Sequence, residues 1–269
     1  MIGYRSGNGP EAILDQESIA MLTDDELLRY SRQIMLPELD IAGQEALRQA
    51  TVLVVGMGGL GSPVAMYLAA AGVGNLILVD HDQVDLSNLQ RQIAHTTDRV
   101  GQDKVASAAA ALGQLNPGCH VQTVTDKLTE QNADTLIASC DLIVDCSDNF
   151  AVRFLLNRMS VVHRKPLVSG AAIRLDGQLS VYDPRVADSP CYRCLFDETG
   201  EEDRRCATNG VLAPVVGVVG SIQAIEAIKV IVGFGETLVG RLLIFDALTM
   251  GFRKVKVKRN PDCPVCSGK

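Results

Sequence analysis

Residues 1–21 show no hydrophobic period and include Gly3, Gly7, Gly9 and Pro10, so they are predicted to form a flexible N-terminal tail. Pattern begins at Thr23-Asp24-Asp25-Glu26, a capping box that opens a helix through Leu27, Leu28, Tyr30 and Ile34 and stops it before Pro37. A second helical piece lies around Gln44 to Gln49. Thr51 to Val55 is then a short unbroken apolar run, the pattern of a strand covered on both faces. From there helix and strand periods alternate. Helices are predicted at Gly61 to Ala71, Asp103 to Leu115, Gln131 to Ala138 and Phe150 to Arg164. The strands between them are Leu76 to Val79, His120 to Thr125 and Leu142 to Val144, and a fifth opens at Pro166 to Ser169. This rhythm predicts an α/β fold, a Rossmann-like doubly wound sheet that is parallel in its first half.

The second half reads differently. Ile173 to Leu175 and Gln178 to Tyr182 flank Asp176-Gly177, a two-residue hairpin signal, and Arg241 to Phe245 with Phe252 to Val257 predict a further antiparallel pair. Asp197 to Gly210 is too polar for core and is predicted to be a mobile crossover loop. The longest apolar run, Val211 to Phe234, is interrupted by Pro214, Glu226 and Lys229, so a buried or interfacial helix fits it better than a membrane span. One domain over residues 22–269 is expected, with a nucleotide-binding half at 22–170 and a second half at 171–269.

Composition narrows the class. The chain has 269 residues, a net charge of −7 and a pI near 5.1, which disfavours general binding to nucleic acid or to an anionic membrane. No secretory signal is visible, so a cytoplasmic protein with reduced thiols is expected, and eight cysteines need an account.

Gly56-Met57-Gly58-Gly59-Leu60-Gly61 satisfies G-x-G-x-x-G between a predicted strand and a predicted helix. Glycines there let the backbone approach a phosphate, and the helix start offers unpaired N–H groups. Asp80 ends the next strand, placed to hold ribose hydroxyls. The motif identifies a nucleotide without saying which. Four further features favour a triphosphate over a dinucleotide. Ser87-Asn88-Leu89-Gln90-Arg91-Gln92 brings polar and cationic side chains beside the expected phosphates. Lys104 sits in the first turn of its helix, the unfavourable end for a cation, so it is either a ligand of an anion or a solvated surface lysine. Asp148-Asn149 follows the fourth strand at the carboxyl edge of the sheet; Asp148 either caps the next helix or holds Mg²⁺. Arg29 and Arg32 precede the nucleotide fold, as solvated side chains or as a finger for phosphoryl chemistry.

Cys191-x-x-Cys194 and Cys263-x-x-Cys266 form two matched pairs 68 residues apart, a donor set for structural Zn²⁺ that pins the C-terminal segment onto the first pair. Cys119, Cys140 and Cys146 lie in or beside predicted elements and read as small hydrophobes. Cys206 follows Arg204-Arg205, where cations favour a thiolate, and is either a nucleophile or idle.

Taken in order, Gly56 to Gly61, Ser87 to Gln92, Asp145-Cys146-Ser147-Asp148-Asn149, Cys191 to Cys194, Gly210 to Gly220 and Cys263 to Cys266 resemble the MoeB/ThiF family, bacterial relatives of the ubiquitin-activating enzymes. The resemblance runs from about Thr23 to Cys266. It implies ATP-dependent adenylation of the C-terminal Gly-Gly of a small β-grasp sulfur carrier, MoaD-like or ThiS-like, with release of pyrophosphate. It places ATP on Gly59, Asp80, Ser87 to Arg91, Lys104 and Asp148-Asn149, gives Mg²⁺ to Asp148 and phosphate charge to Arg91 and Lys104. It also sends Arg32 into the neighbouring subunit of a homodimer. Within the family, Ser169 to Arg174 is more similar to the molybdopterin-synthase adenylyltransferase branch. Arg204-Arg205-Cys206 with Gly210-Val211-Leu212 is more similar to the thiamine branch, where the cysteine links to its carrier. No rhodanese-like segment follows, so a separate sulfur donor is expected. A zinc-stapled binding module and an NAD-dependent oxidoreductase are the competing readings. The first gives no use to Arg32, Arg91, Lys104 and Asp148 together, and no catalytic acid for hydride chemistry is evident for the second.

Overall fold

The computed structural model describes residues 22–198 and 210–268. The N-terminal tail, most of the polar crossover loop and Cys206 lie outside the described residues. Eight strands form one sheet: β1 (Thr51–Val55), β2 (Asn75–Val79), β3 (His120–Val124), β4 (Leu142–Asp145), β5 (Leu167–Ile173), β6 (Asp176–Tyr182), β7 (Arg241–Asp246) and β8 (Gly251–Lys256). Their order across the sheet is β3-β2-β1-β4-β5-β6-β7-β8. All pairings from β3 to β5 are parallel and those from β5 to β8 antiparallel, as expected from the change of period.

The helices are α1 (Asp24–Arg29), α2 (Ser31–Ile34), α3 (Asp40–Gln49), α4 (Gly61–Ala70), α5 (Lys104–Leu115), α6 (Glu130–Ala138), α7 (Phe150–His163) and α8 (Ala213–Val232). The unbroken apolar run of β1 is explained by cover on both sides. Val52 and Val54 join Leu68, Leu112 and Val219 from α4, α5 and α8, whereas Leu53 and Val55 join Ile137, Phe154 and Leu156 from α6 and α7.

The first helix is divided. The capping box forms as expected, Thr23 Oγ1 accepting from the Glu26 N–H while Glu26 accepts from the Thr23 N–H. Tyr30 then breaks the helix into α1 and α2 because its ring is buried against Gly72, where its hydroxyl accepts from Asn116 Nδ2 at 2.8 Å.

The hairpin forms, but its turn is not Asp176-Gly177. Ile173 pairs with Asp176, so Arg174-Leu175 make the turn and Arg174 takes the left-handed φ of 55°. Gly177 lies inside β6, where a Cβ would meet Val219 Cγ2 of α8 at 2.4 Å. Close helix approach, not turn geometry, selects this glycine. Gly177→Ala should therefore cost about 1–3 kcal/mol by overpacking, read as a lower urea midpoint; an unchanged midpoint would show that α8 has room.

The helix α8 is long and apolar enough to cross a membrane by length and composition, yet it packs against α4, β5 and β6. Glu226 within it is buried and tied down: one carboxylate oxygen meets Lys229 Nζ at 2.6 Å and the other accepts from the Leu238 N–H at 2.7 Å. Gln223, with no exposure, donates from α8 to the carbonyl of Asp145 at the end of β4 at 2.8 Å.

Candidate nucleotide site and cysteine cluster

The glycine segment leaves β1 and turns sharply into α4. Gly56 takes φ 93° and lies so close to β4 that a Cβ would meet the Cys146 carbonyl oxygen at 2.7 Å. A Cβ on Gly61 would meet the Gly56 carbonyl oxygen at 1.9 Å, so Gly61 serves the tight helix entry. The N-cap of α4 is Leu60, which offers no side-chain acceptor to the first turn. Asp80 at the end of β2 organises this loop: Oδ2 accepts from the Met57 N–H at 2.7 Å and Oδ1 from the Asp82 N–H at 2.9 Å.

Beside the loop opens a cleft of about 630 Å³, running from the glycine segment past β4 to the β5–β6 hairpin. Gly56, Gly58, Gly59, Asp80, Arg91, Lys104, Asp148 and Asn149 line it together. Ala171, Ala172, Asp176 and Gln178 form its far wall. Gly61, Ser87, Asn88, Leu89, Gln90 and Arg32 are not among its lining residues. Ser87 instead donates to Asp85 Oδ1 at 2.5 Å, closing a single 3₁₀ turn, and Asn88 Oδ1 orients Arg91 by accepting from Nη2 at 3.0 Å. Arg32 is exposed on α2.

Lys104 is not a solvated surface lysine. It is 5% exposed, and its Nζ donates to Asp82 Oδ2 at 2.8 Å. The ammonium holds the Asp82 carboxyl below its usual range, and that carboxylate offsets the unfavourable placement of a cation at the start of α5. Asp82, two residues beyond Asp80, escaped the sequence reading because the pairing crosses 22 residues of irregular chain.

Asp148 is not the cap of α7. Asn149 fills that role, its Oδ1 accepting from the Val152 N–H at 3.0 Å, while the Asp148 side chain is exposed on the cleft wall. The loop that carries both is fixed from below. Asp145, fully buried, accepts from Ser147 Oγ at 2.6 Å, the Ser147 N–H at 3.0 Å and Ser169 Oγ at 2.7 Å. Arg153 Nη2 donates to the Ser147 carbonyl at 2.8 Å. Three donors on one carboxylate make a rigid platform. Cys146 beside it is buried, and that burial pushes its thiol well above the ordinary range, so it packs as a small hydrophobe. Burial raises Cys119 to about 11 and Cys140 to about 12, with the same consequence.

His95 completes the loop's support. It is 5% exposed, with Nε2 2.9 Å from the Met57 carbonyl and Nδ1 2.9 Å from Ser107 Oγ. A carbonyl only accepts, so Nε2 carries the proton. Met57 is thus held through its N–H by Asp80 and through its C=O by His95. Burial lowers the His95 pKa, with Lys104 and Arg99 acting in the same direction and the Met57 carbonyl and Asp80 opposing. The unfolded chain then takes up a proton near pH 6.5 that the native state resists, so stability falls as pH drops through that value. His95→Gln should flatten the stability profile between about pH 7 and 5; an identical slope in both proteins would remove His95 as the source.

The four paired cysteines converge. Cys191 Sγ lies 3.9 Å from Cys194 Sγ and 3.6 Å from Cys263 Sγ, and Cys194 Sγ lies 3.5 Å from Cys266 Sγ. A tetrahedron of Zn–S bonds near 2.3 Å has edges of about 3.8 Å, so this donor set fits such an ion. Backbone N–H groups are aimed at the sulfurs, those of Cys191 and Asn260 at Cys194 Sγ, at 3.5 and 3.4 Å. Burial works against a Cys263 thiolate, but hydrogen bonds from the N–H groups of Val265 and Cys266 and from the Cys191 and Cys266 thiols together bring it down to about 7. Asn157 on α7 ties the cluster to the core, accepting from the Tyr192 N–H at 2.8 Å and donating to Cys191 Sγ at 3.6 Å.

Comparison with known proteins gives the family of the chain. The ThiF family model matches residues 30–265, and the chain belongs to that family. It is 50% identical over 248 residues to the molybdopterin-synthase adenylyltransferase of Escherichia coli, covering 92% of this chain and 99% of that one. It is 49% identical over 250 residues to the adenylyltransferase and sulfurtransferase MOCS3 of Drosophila willistoni, covering 91% of this chain and 54% of that protein. The chain therefore spans about half the length of such two-activity relatives. Among solved structures, E. coli MccB with ATP aligns with a TM-score of 0.78 at 24% identity, over 90% of this chain and 75% of that one, a likeness of fold.

Proposed function

We propose that this chain uses ATP to adenylate the C-terminal carboxylate of a small sulfur-carrier protein in molybdenum cofactor synthesis. One observation carries the reading: Gly58, Gly59, Asp80, Arg91, Lys104 and Asp148 surround a single cleft in a chain half identical to a full-length molybdopterin-synthase adenylyltransferase. The glycine loop and the start of α4 take the phosphates, with Arg91 and Lys104 offsetting their charge. Ala171, Ala172 and Gln178 line the far wall of the cleft, which we assign to the carrier's extended C-terminal tail. A carboxylate oxygen of that tail attacks the α-phosphorus, the bond to the bridging oxygen breaks, and pyrophosphate leaves with the electron pair. No general base is needed, because the nucleophile is already ionised, so catalysis is positioning and charge stabilisation.

Asp148 is assigned to Mg²⁺, which would neutralise phosphate charge; one carboxylate plus phosphate oxygens suits that ion. Zn²⁺ is assigned to Cys191, Cys194, Cys263 and Cys266 as a structural ion. Arg32 lies outside its own cleft, which supports a homodimer in which it serves the partner's site. We place the reaction in the cytoplasm. The test is exchange of labelled pyrophosphate into ATP with a MoaD-like and a ThiS-like carrier in parallel. Exchange with the first alone is expected; exchange with the second alone would move the chain to the thiamine branch, and silence with both despite ATP binding would favour a binding module.

A further inference from the structure

The cleft and the cysteine cluster lie at opposite ends of α7. Phe150, in its first turn, lines the cleft, and Val161, in its last, packs with Cys191, Cys263 and Cys266. Phe154 and Asn157 fall between them, and positions 150, 154, 157 and 161 share one helix face. The span is about 17 Å at the helical rise per residue. Aromatic rings fill it. Phe150 and Phe154 have centroids 6.2 Å apart, and Phe154 meets Tyr192 edge to face at 5.3 Å. Tyr192 in turn sits edge to face on Tyr182 at 5.8 Å and stacks on Phe196 at 4.5 Å. Tyr192 is 3% exposed, although it stands inside the first C-x-x-C pair, and Asn157 of α7 accepts from its N–H. Pinning the C-terminal segment does not by itself require a buried ring there; seating the pair on α7 does. At the other end, the Arg153 guanidinium lies 5.5 Å from the Phe150 ring centroid, and the same side chain donates to the Ser147 carbonyl in the loop that carries Asp148. A close-packed row of this kind has no slack to absorb a displacement at either end.

We propose that the cysteine cluster and the nucleotide cleft are energetically coupled through this row: Zn²⁺ on the four cysteines seats Tyr192 against Phe154, which positions Phe150, Arg153 and the Asp148 loop for the nucleotide. The coupling rests on reading the cleft as an ATP site and the cysteines as a zinc site. Its two states are a C-x-x-C pair held against α7 and one released from it. Linkage makes the effect reciprocal, so a nucleotide that favours the held state slows loss of the metal by the same factor. Phe154 and Tyr192 are positioning residues, since neither lines the cleft.

The experiment follows zinc release to a chromogenic chelator from the zinc-loaded protein, with and without saturating Mg-ATP, in wild type and Phe154→Leu. ATP should slow release about fivefold in wild type, the low end of ordinary coupling between sites, and less than about twofold in Phe154→Leu. Calorimetry should show zinc-stripped wild type binding ATP about fivefold more weakly, the same factor by linkage. The variant separates this role from a merely structural one, because general stabilisation by ATP would slow release equally in both proteins. Equal release with and without ATP in wild type would overturn the coupling, as would slowing fully retained in Phe154→Leu, or a chain that holds no zinc. Hydrogen exchange in wild type decides the matter if Phe154→Leu does not fold or if ATP does not bind, the second result also ending the functional reading. Zinc removal should speed exchange at residues 149–154 while β1 keeps its protection. Unchanged exchange at 149–154, or equal loss in both segments, overturns the coupling.

Discussion

Asp148→Ala should keep the fold and lose carrier-dependent pyrophosphate exchange by at least about 100-fold, the scale on which a preorganised charge-stabilising group acts. The fold is spared because Asp148 does no structural work that its neighbours do not: Asn149 caps α7, and Asp145 with Arg153 holds the loop. Melting temperature and circular dichroism should therefore match wild type. Asp145→Asn offers the contrast, because it weakens a buried carboxylate with three donors and should lower stability as well as activity. Mixed dimers of Asp148→Ala with Arg32→Ala chains should recover part of the activity, since one site of the pair would hold both an intact Asp148 and a partner's Arg32. Exchange at the wild-type rate by Asp148→Ala would remove the residue from the mechanism. Verified mixed dimers without recovery would return Arg32 to its own subunit.

Cys263→Ser should release about one zinc per chain and cost more than about 4 kcal/mol, the range in which loss of a metal falls among single substitutions. The size follows from what the cluster joins. Cys263 and Cys266 sit at the end of the chain beyond β8, a strand exposed along its length, and Cys191 and Cys194 sit against α7 through Asn157. Without the ion, the C-terminal segment keeps few apolar contacts, Val265 and Val161 among them, and should detach. Metal analysis with denaturant unfolding checks this. Full zinc content in Cys263→Ser would show that this thiolate is not a ligand, and unchanged stability on zinc loss would show that the ion is not structural. A chelator should reproduce the variant in wild type.

Much of the architecture was legible because its signals are local. A capping box, a glycine loop between strand and helix and a C-x-x-C pair each act within a few residues, where backbone geometry relates spacing to position directly. The change from parallel to antiparallel pairing was equally visible in the change of period. The same locality misled at Asp176-Gly177. A favourable turn pair was present, but α8 needed a residue without a side chain at 177, and packing moved the turn to Arg174-Leu175. Tyr30 likewise divided a continuous helical pattern because its ring had a buried place against Gly72.

The doubly wound sheet, the glycine loop, the four paired thiols and a minority of the cleft's lining, Asp80, Arg91, Lys104 and Asp148 among it, could be read from the chain alone, since each rests on motifs local in sequence. Tertiary structure decided the division of labour among them. It paired Lys104 with Asp82, put Asp145 beneath the loop and Asp148 on the cleft wall, clamped Met57 between Asp80 and His95, and left the buried Gln92 Oε1 without a hydrogen-bond partner. Those assignments depend on distances across the sheet, and a residue's hydrogen-bonding needs are met or left open only when segments far apart in sequence come together.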